Sequence, residues 1–197
     1  MNVDREIRKY FRVKKNDNLP YVGWLNSTRE NIYDFMGQVG GYKLGAEIGV
    51  QDGKNAKQMF NRIPGLHLIC IDPWHGFSQT TTETRAERHY KKCLKVLDGC
   101  DTEYKIMTSM EAVKDIPDGS LDFVYIDGLH FFDYVMNDII AWVPKVRKGG
   151  IVAGHDYFDF YQFGVVEAVR AYTMAHNVRD WYITRAEKYP SWFWVNK

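Results

Sequence analysis

The sequence has few cysteines, no excess of charge of one sign and no long apolar run, and each absence excludes a class of protein. The three cysteines are odd in number and form no CxxC pair, so a disulfide framework is not supported. A net charge of +1 is too small to neutralise a nucleic-acid backbone over a long footprint. Apolar runs stay far below the roughly 20 residues that span a bilayer, and the N-terminus lacks a secretory h-region. We expect a soluble, cytoplasmic protein whose partners are neither nucleic acids nor membranes.

The composition is that of an ordinary globular protein. Of the 197 residues, 45% are hydrophobic and 26% are charged, and no linker rich in proline or serine divides the chain. A capping box at Ser27–Glu30 predicts a helix that ends near Gly40–Gly41. We therefore expect an N-terminal helical extension or lid over residues 1–42 and one main domain over residues 43–197.

From residue 43 onward, short β-rich runs alternate with amphipathic helical patterns, which predicts an α/β protein with a parallel sheet. Two strand-like runs, only a short polar turn apart, follow the last helical pattern and predict a C-terminal hairpin. The predicted strands are Leu44–Val50, His67–Ile71, Glu103–Met107, Leu121–Ile126, Ile151–Ala153, Trp181–Thr184 and Trp192–Val195.

A glycine-rich turn over residues 47–53 follows the first predicted strand. Such a turn between a strand and a helix places backbone N–H groups and the helix dipole at the carboxyl edge of the sheet, where nucleotides bind. The dinucleotide fingerprint G-x-G-x-x-G is not met, because Glu47 occupies the first glycine position and the remaining spacing is Gly49-x-x-x-Gly53. A carboxylate there would repel a pyrophosphate and attract an ammonium and a sulfonium.

The run Ala-Glu-Ile-Gly-Val-Gln-Asp-Gly, residues 46–53, resembles the first motif of class I S-adenosylmethionine (SAM)-dependent methyltransferases. The resemblance implies a three-layer Rossmann-like fold with a mostly parallel seven-stranded sheet and a C-terminal antiparallel hairpin. It also implies that Gly49 and Gly53 let the backbone approach the cofactor. Asp72 ends the second strand about 20 residues beyond the glycines, where a carboxylate accepts hydrogen bonds from ribose hydroxyls. The turn at Ser109 and Met110 would border the adenine.

Residues 121–130 and 148–157 together resemble the YIDG-x-H to GG-x-x-x-G-HDY stretch of one methyltransferase branch. This branch includes macrocin O-methyltransferase-like and cephalosporin hydroxylase-like proteins, and the resemblance extends from about residue 43 to the C-terminus. Within this stretch Asp127, His130, His155 and Asp156 follow strand ends on the same edge of the sheet, so we expect them to converge on one pocket. Asp127 is also expected to border the cofactor.

Two mechanisms compete for these four residues. In one, His155 or His130 acts as general base and a neighbouring aspartate orients it. In the other, Asp127 and Asp156 bind Mg²⁺, which lowers the pKa of an acceptor hydroxyl. The resemblance favours a metal in some branch members, but those carry paired acids where this sequence has His155-Asp156, and imidazole is a poor ligand for Mg²⁺.

The sequence predicts a small-molecule acceptor, such as a hydroxyl of a glycan or of a secondary metabolite. Aromatic residues gather at 74–77 and 157–163, where they would either stack on a sugar or planar acceptor or pack locally. A homo-oligomer is compatible with the sequence. The alternative functions are a non-catalytic SAM-binding module and, less favoured by Glu47, an NAD(P)-dependent oxidoreductase.

Overall fold

The computed structural model describes residues 2–13, 19–23, 26–74 and 83–197. The helices are α1 (Val3–Tyr10), α2 (Arg29–Phe35), α3 (Lys54–Arg62), α4 (Glu83–Val96), α5 (Ser109–Ala112), α6 (Phe132–Trp142) and α7 (Val165–Ala175). The strands are β1 (Tyr21–Val22), β2 (Leu44–Ile48), β3 (His67–Ile71), β4 (Thr102–Lys105), β5 (Leu121–Ile126), β6 (Val146–Gly154), β7 (Trp181–Ile183) and β8 (Trp192–Val195). None of these described helices combines the length and apolar character needed to cross a membrane.

The eight strands form one sheet in the order β1-β7-β8-β6-β5-β2-β3-β4. Strands β2 to β6 are parallel to one another, whereas β8 lies antiparallel between β6 and β7. The predicted α/β fold, with its mostly parallel sheet and terminal hairpin, is confirmed. The two-residue strand β1, which pairs parallel with β7, is an addition to the seven predicted strands.

Both faces of the sheet are buried under helices, so the protein has three layers. On β5, Phe123 and Tyr125 face the core beneath α1 to α4, while Val124 and Ile126 face the core beneath α5 to α7. This alternation follows from the period of two along a strand, and burial on both faces explains why β5 reads as a continuous apolar run.

The N-terminal segment is packed into the same core. Ile7 and Phe11 of α1 are fully buried, and the Phe11 ring lies 5.0 Å from the ring of Phe193 on β8. Helix α2 begins one residue later than the predicted capping box implies, because Thr28 is the N-cap and its backbone N–H donates to Asn31 Oδ1 at 2.9 Å. Ser27 instead accepts the backbone N–H of Arg185. A lid role for residues 1–42 stays a prediction.

Several strand boundaries differ from the sequence prediction, and two of these differences are the start of β6 and the end of β4. Strand β6 begins at Val146 rather than at Ile151, because Gly149 and Gly150 continue the strand: they exchange backbone hydrogen bonds with Asn196, just after β8. Strand β4 ends at Lys105, two residues before the predicted end. Neither difference moves the residues that follow the carboxyl ends of the strands.

Candidate active site

The glycine turn lies at the switch point of the sheet, where β3 continues on one side of β2 and β5 on the other. Gly49 has φ +86°, and a Cβ at this position would lie 2.0 Å from the carbonyl oxygen of Asp127. Gly53, with φ +77°, caps α3. The turn therefore requires glycine at residue 49 and runs in direct contact with the backbone that follows β5.

Glu47 is fully buried at the end of β2. Its Oε1 accepts a hydrogen bond from Asn55 at 2.8 Å, and its Oε2 has no hydrogen-bond partner. Burial raises the pKa of Glu47 to about 8, and the carboxylates of Asp127 and Asp72 add to this effect against the opposing bond from Asn55. An ionised Glu47 thus needs a positive or hydrogen-donating neighbour at Oε2.

Asp72 lies at the carboxyl end of β3 and is held by the loop around it. Its two carboxylate oxygens accept the backbone N–H groups of Gln51 at 2.9 Å and Trp74 at 2.8 Å. Each oxygen keeps a further lone pair. Asp72 is thereby fixed beside the glycine turn, with acceptor capacity left for hydroxyl donors.

Ser109 and Met110 form the first turn of α5, after β4. Ser109 Oγ donates to Asp138 Oδ1 on α6, and burial raises the pKa of Asp138 to about 6. Met110 is exposed. The hydroxyl of Ser109 is engaged by the protein itself, so backbone groups and the Met110 side chain are what this turn presents outward.

Asp127, His130 and Asp156 converge at the ends of β5 and β6. His130 Nε2 lies 2.9 Å from Asp156 Oδ2 and 3.6 Å from Asp127 Oδ1. Burial lowers the pKa of His130, but the two carboxylates outweigh burial and raise the pKa to about 9. Burial raises the pKa of Asp156, but His130 and His155 outweigh burial and hold the pKa of this carboxyl well below its usual range.

The His130–Asp156 pair is close but poorly aligned. Although 2.9 Å is within hydrogen-bonding distance, His130 Nε2 is buried and makes no hydrogen bond. Asp156 itself has φ +56°, a conformation that a non-glycine residue adopts at a cost of about 1–3 kcal/mol. The backbone thus holds the carboxylate in place at the expense of strain.

His155 completes the cluster from the end of β6. Only 8% of its side chain is exposed, and its Nδ1 lies 3.3 Å from Asp156 Oδ1 and 3.9 Å from Asp127 Oδ1. Its Nε2 faces Glu187 Oε1 at 3.9 Å. The structure brings together the four residues that the sequence predicted to converge.

Glu187 and Arg29 belong to the site but were not predicted. Glu187 Oε2 accepts from Thr184 Oγ1 at 2.6 Å and Ser191 Oγ at 3.2 Å, and Arg29 Nε donates to Oε1 at 3.0 Å. Arg29 comes from α2 and Glu187 from the loop between β7 and β8. A charged residue in a loop or in the first turn of a helix carries no periodic signal, so only the folded topology reveals the pair.

An aromatic cluster borders the histidines. The Phe163 ring lies 4.8 Å from the ring of His130, and Phe158 packs against Phe160, Phe163 and Tyr189. Phe160 is more than half exposed. Of the other predicted aromatic loop, residues 74–77, only Trp74 lies in the described part of the chain, and it is buried; residues 75–77 lie outside that part.

An open α/β sheet with a glycine turn and an acid–histidine cluster at its carboxyl edge defines a Rossmann-like ligand-binding protein. Residues 46–157, more than half of the chain, match the family model described as "Methyltransferase domain". The chain belongs to this methyltransferase family. The resemblance to class I methyltransferases that the sequence predicted is confirmed.

Solved structures share the fold at low sequence identity. The O-methyltransferase from Bacillus cereus in complex with SAH superposes with a TM-score of 0.65 at 12% identity, over 98% of this chain and 89% of that chain. The O-methyltransferase TomG from Streptomyces achromogenes, involved in tomaymycin synthesis and solved with SAM, gives a TM-score of 0.61 at 15% identity and full coverage of both chains. At these identities the likeness concerns the fold.

A curated relative, the uncharacterized protein y4gI of Sinorhizobium fredii, is 41% identical over 49 residues. The aligned segment is 25% of this chain but only 5% of the relative. The chain therefore spans about a twentieth of the length of that protein.

Proposed function

We propose that this chain transfers the methyl group of SAM to a hydroxyl of a small polar acceptor, such as a glycan or a secondary metabolite. The observation that carries the proposal is the contact between the turn at Gly49 and the backbone of Asp127. Because of this contact, the cofactor turn lies directly beside the acid–histidine cluster. A methyl donor bound at the turn would have a proton acceptor beside it.

The residues at the turn fit the groups of SAM. Asp72 has lone pairs left for two ribose hydroxyls, and Glu47 Oε2 needs a donor that the ammonium would supply. The turn at Ser109 and Met110 would border the adenine. An ionised Glu47 would also disfavour NAD(P), whose pyrophosphate would meet a carboxylate at this edge of the sheet.

The bound cofactor supplies an electrophilic methyl group on a sulfonium, whose sulfur keeps the electron pair when the carbon–sulfur bond breaks. The chain must hold the acceptor oxygen in line with that methyl group and remove its proton. His155 is the better base, since a His130 with a pKa of about 9 is already protonated near neutral pH. Asp156, 3.3 Å from His155 Nδ1, orients the imidazole.

The aromatic side chains beside His130 suit an acceptor with an apolar or planar face. Phe163 packs on His130, and the exposed Phe160 lies next to Phe163. Such rings stack on sugars and on planar metabolites alike. This cluster is the basis for placing the acceptor between residues 157–163 and the acid–histidine cluster.

Ligand-dependent melting tests the cofactor class. SAM or its demethylated product at about 100 times Kd would stabilise the fold by about 2.7 kcal/mol, and NAD would not. Equal shifts with both ligands, or a shift with NAD alone, would contradict the proposal. Asp72→Ala is expected to abolish the SAM shift, whereas the matched control Asp118→Ala, which removes an exposed carboxylate paired with Lys145 at the opposite edge, retains it.

Turnover is tested with a labelled-methyl transfer screen over sugars, nucleotide sugars and phenolic metabolites. We expect His155→Ala to bind SAM normally but to lose transfer. Full methyl transfer by His155→Ala would show that another residue is the general base. SAM binding without transfer to any acceptor class would favour the alternative, a non-catalytic SAM-binding module.

A further inference from the structure

We propose that Asp127, His130 and Asp156, with His155 as a fourth donor, form a site for a first-row transition cation rather than for Mg²⁺. One ligand atom from each of the first three residues lies within 4.8 Å of the others. The site coincides with the proposed transfer site: with a cation bound, His155 would be a ligand rather than the base, and the cation would lower the pKa of the acceptor hydroxyl. The inference itself rests on the donor atoms and not on turnover. Its failure would leave the proposed methyl transfer standing.

The separations between the donor atoms match those of ligands on one ion. Metal–ligand bonds of about 2.1 Å place adjacent ligands about 3.0 Å apart in an octahedron and about 3.4 Å apart in a tetrahedron. His130 Nε2 is 2.9 Å from Asp156 Oδ2 and 3.6 Å from Asp127 Oδ1. His155 Nδ1 is 3.3 Å from Asp156 Oδ1. A cation fits between the atoms of Asp127, His130 and Asp156, whereas His155 lies outside this group and would become a fourth ligand only after its side chain moved.

The alignment of His130 distinguishes a metal site from a plain ion pair. A protonated imidazole paired with a carboxylate would direct its N–H at the oxygen. Here Nε2 is buried, close to two carboxylates, and hydrogen-bonded to neither. A buried nitrogen that is close to two oxygens but hydrogen-bonded to neither is available as a ligand to a third atom.

The donor set decides which ion fits. Mg²⁺ prefers six oxygen ligands in a near-ideal octahedron, whereas imidazole nitrogen suits iron, nickel, copper and zinc. Two imidazoles and two carboxylates therefore do not fit the magnesium site that the family resemblance implies. They fit a divalent ion of the series from manganese to zinc.

Glu187 supports His155 in this role. Its Oε1 faces His155 Nε2 at 3.9 Å, and Arg29, Thr184 and Ser191 hold the carboxylate in place. At 3.9 Å this contact is not a hydrogen bond. If it shortened on metal binding, the carboxylate would fix the tautomer and leave the other ring nitrogen free to bind the metal. In His155 that free nitrogen is Nδ1, the atom that faces Asp127 and Asp156.

The test compares Co²⁺, Mn²⁺ and Mg²⁺ on the full-length protein after chelation, by calorimetry. We expect one Co²⁺ per chain, bound at least about 100-fold more tightly than Mg²⁺, with Mn²⁺ between them. His130→Ala should weaken Co²⁺ binding at least about 10-fold, and Glu187→Gln by about 10- to 100-fold. The control His67→Ala removes a histidine paired with Asp101 at the opposite edge of the sheet and should bind Co²⁺ as the parent does.

A spectroscopic measurement on the unmodified protein makes the test independent of variant folding. Imidazole N–H protons of histidines bound to Co²⁺ appear as strongly shifted exchangeable NMR signals, and we expect two. Absence of such signals, equal affinity for Mg²⁺ and Co²⁺, or unaltered binding by a folded His130→Ala would overturn the proposal.

Discussion

Replacement of Glu47 by glutamine should stabilise the ligand-free protein, and by an amount that grows with pH. A raised folded-state pKa means that the folded protein binds the proton more tightly than the unfolded chain does. The contribution of Glu47 to the free energy of unfolding is therefore fully present below its unfolded-state pKa of 4.5 and is lost as the pH rises toward its folded-state pKa of about 8. Glu47→Gln removes this loss while Asn55 can still donate to the side-chain oxygen.

The magnitude follows from the two pKa values. With one proton linked to folding, the free energy of unfolding falls by about 1.4 kcal/mol per pH unit between them. The free energy of unfolding of Glu47→Gln should exceed that of the parent by about 1 kcal/mol at pH 5 and by about 3 kcal/mol at pH 7. The excess should level off above pH 8. Every other titrating group cancels in this difference to first order.

Urea denaturation of both proteins from pH 5 to pH 8 measures the effect. A difference that stays flat with pH, or that favours the parent, would show that Glu47 is ionised throughout and refute the reasoning. Cofactor binding provides a second measurement. If the SAM ammonium pairs with ionised Glu47, SAM binding near pH 7 should release about one proton from the parent and none from Glu47→Gln. Calorimetry in buffers of different ionisation enthalpy counts that proton.

Three other predictions concern the frame of the site. Gly49→Ala should lower the free energy of unfolding by at least about 2 kcal/mol, because its Cβ would clash with the Asp127 carbonyl at positive φ; urea denaturation checks this. Asp122→Ala should cost about 1–3 kcal/mol in thermal unfolding, since its carboxylate accepts the N–H groups that begin β2, and an unaltered melting temperature would contradict this. Only Cys100 should react with a thiol reagent in the native protein, because the other two thiols are buried, whereas urea should expose all three.

Some features of the site were readable from the sequence because they follow strand ends. The apolar residues of Leu121–Ile126 predict a strand. Because this strand is parallel to its neighbour β6, Asp127 lies at the same edge of the sheet as Asp156. Gly49 was readable because the turn needs a positive φ and a close backbone approach. These inferences depend only on chain order and local conformation.

Other features depend on which surfaces meet in space. The Arg29–Glu187 pair joins residues 158 positions apart, and neither segment carries a motif. Strand β1 has only two residues, too few for a period of two to be visible. The burial of Glu47 behind the turn was likewise invisible, because the sequence places a carboxylate near the cofactor but does not show whether water reaches it.

One electrostatic feature unites the assignments at this edge of the sheet. Carboxylates of Asp72, Asp127, Asp156 and Glu187 lie at this edge, and those of Asp127 and Asp72 add to burial in raising the pKa of the buried Glu47. Such an edge is stabilised by positive charge. Arg29 and the histidines supply part of it, and a cofactor with an ammonium and a sulfonium would supply more, as would a divalent cation. These carboxylates would also repel the pyrophosphate of NAD(P), so one cause would favour both the proposed methyl donor and the proposed cation beside it.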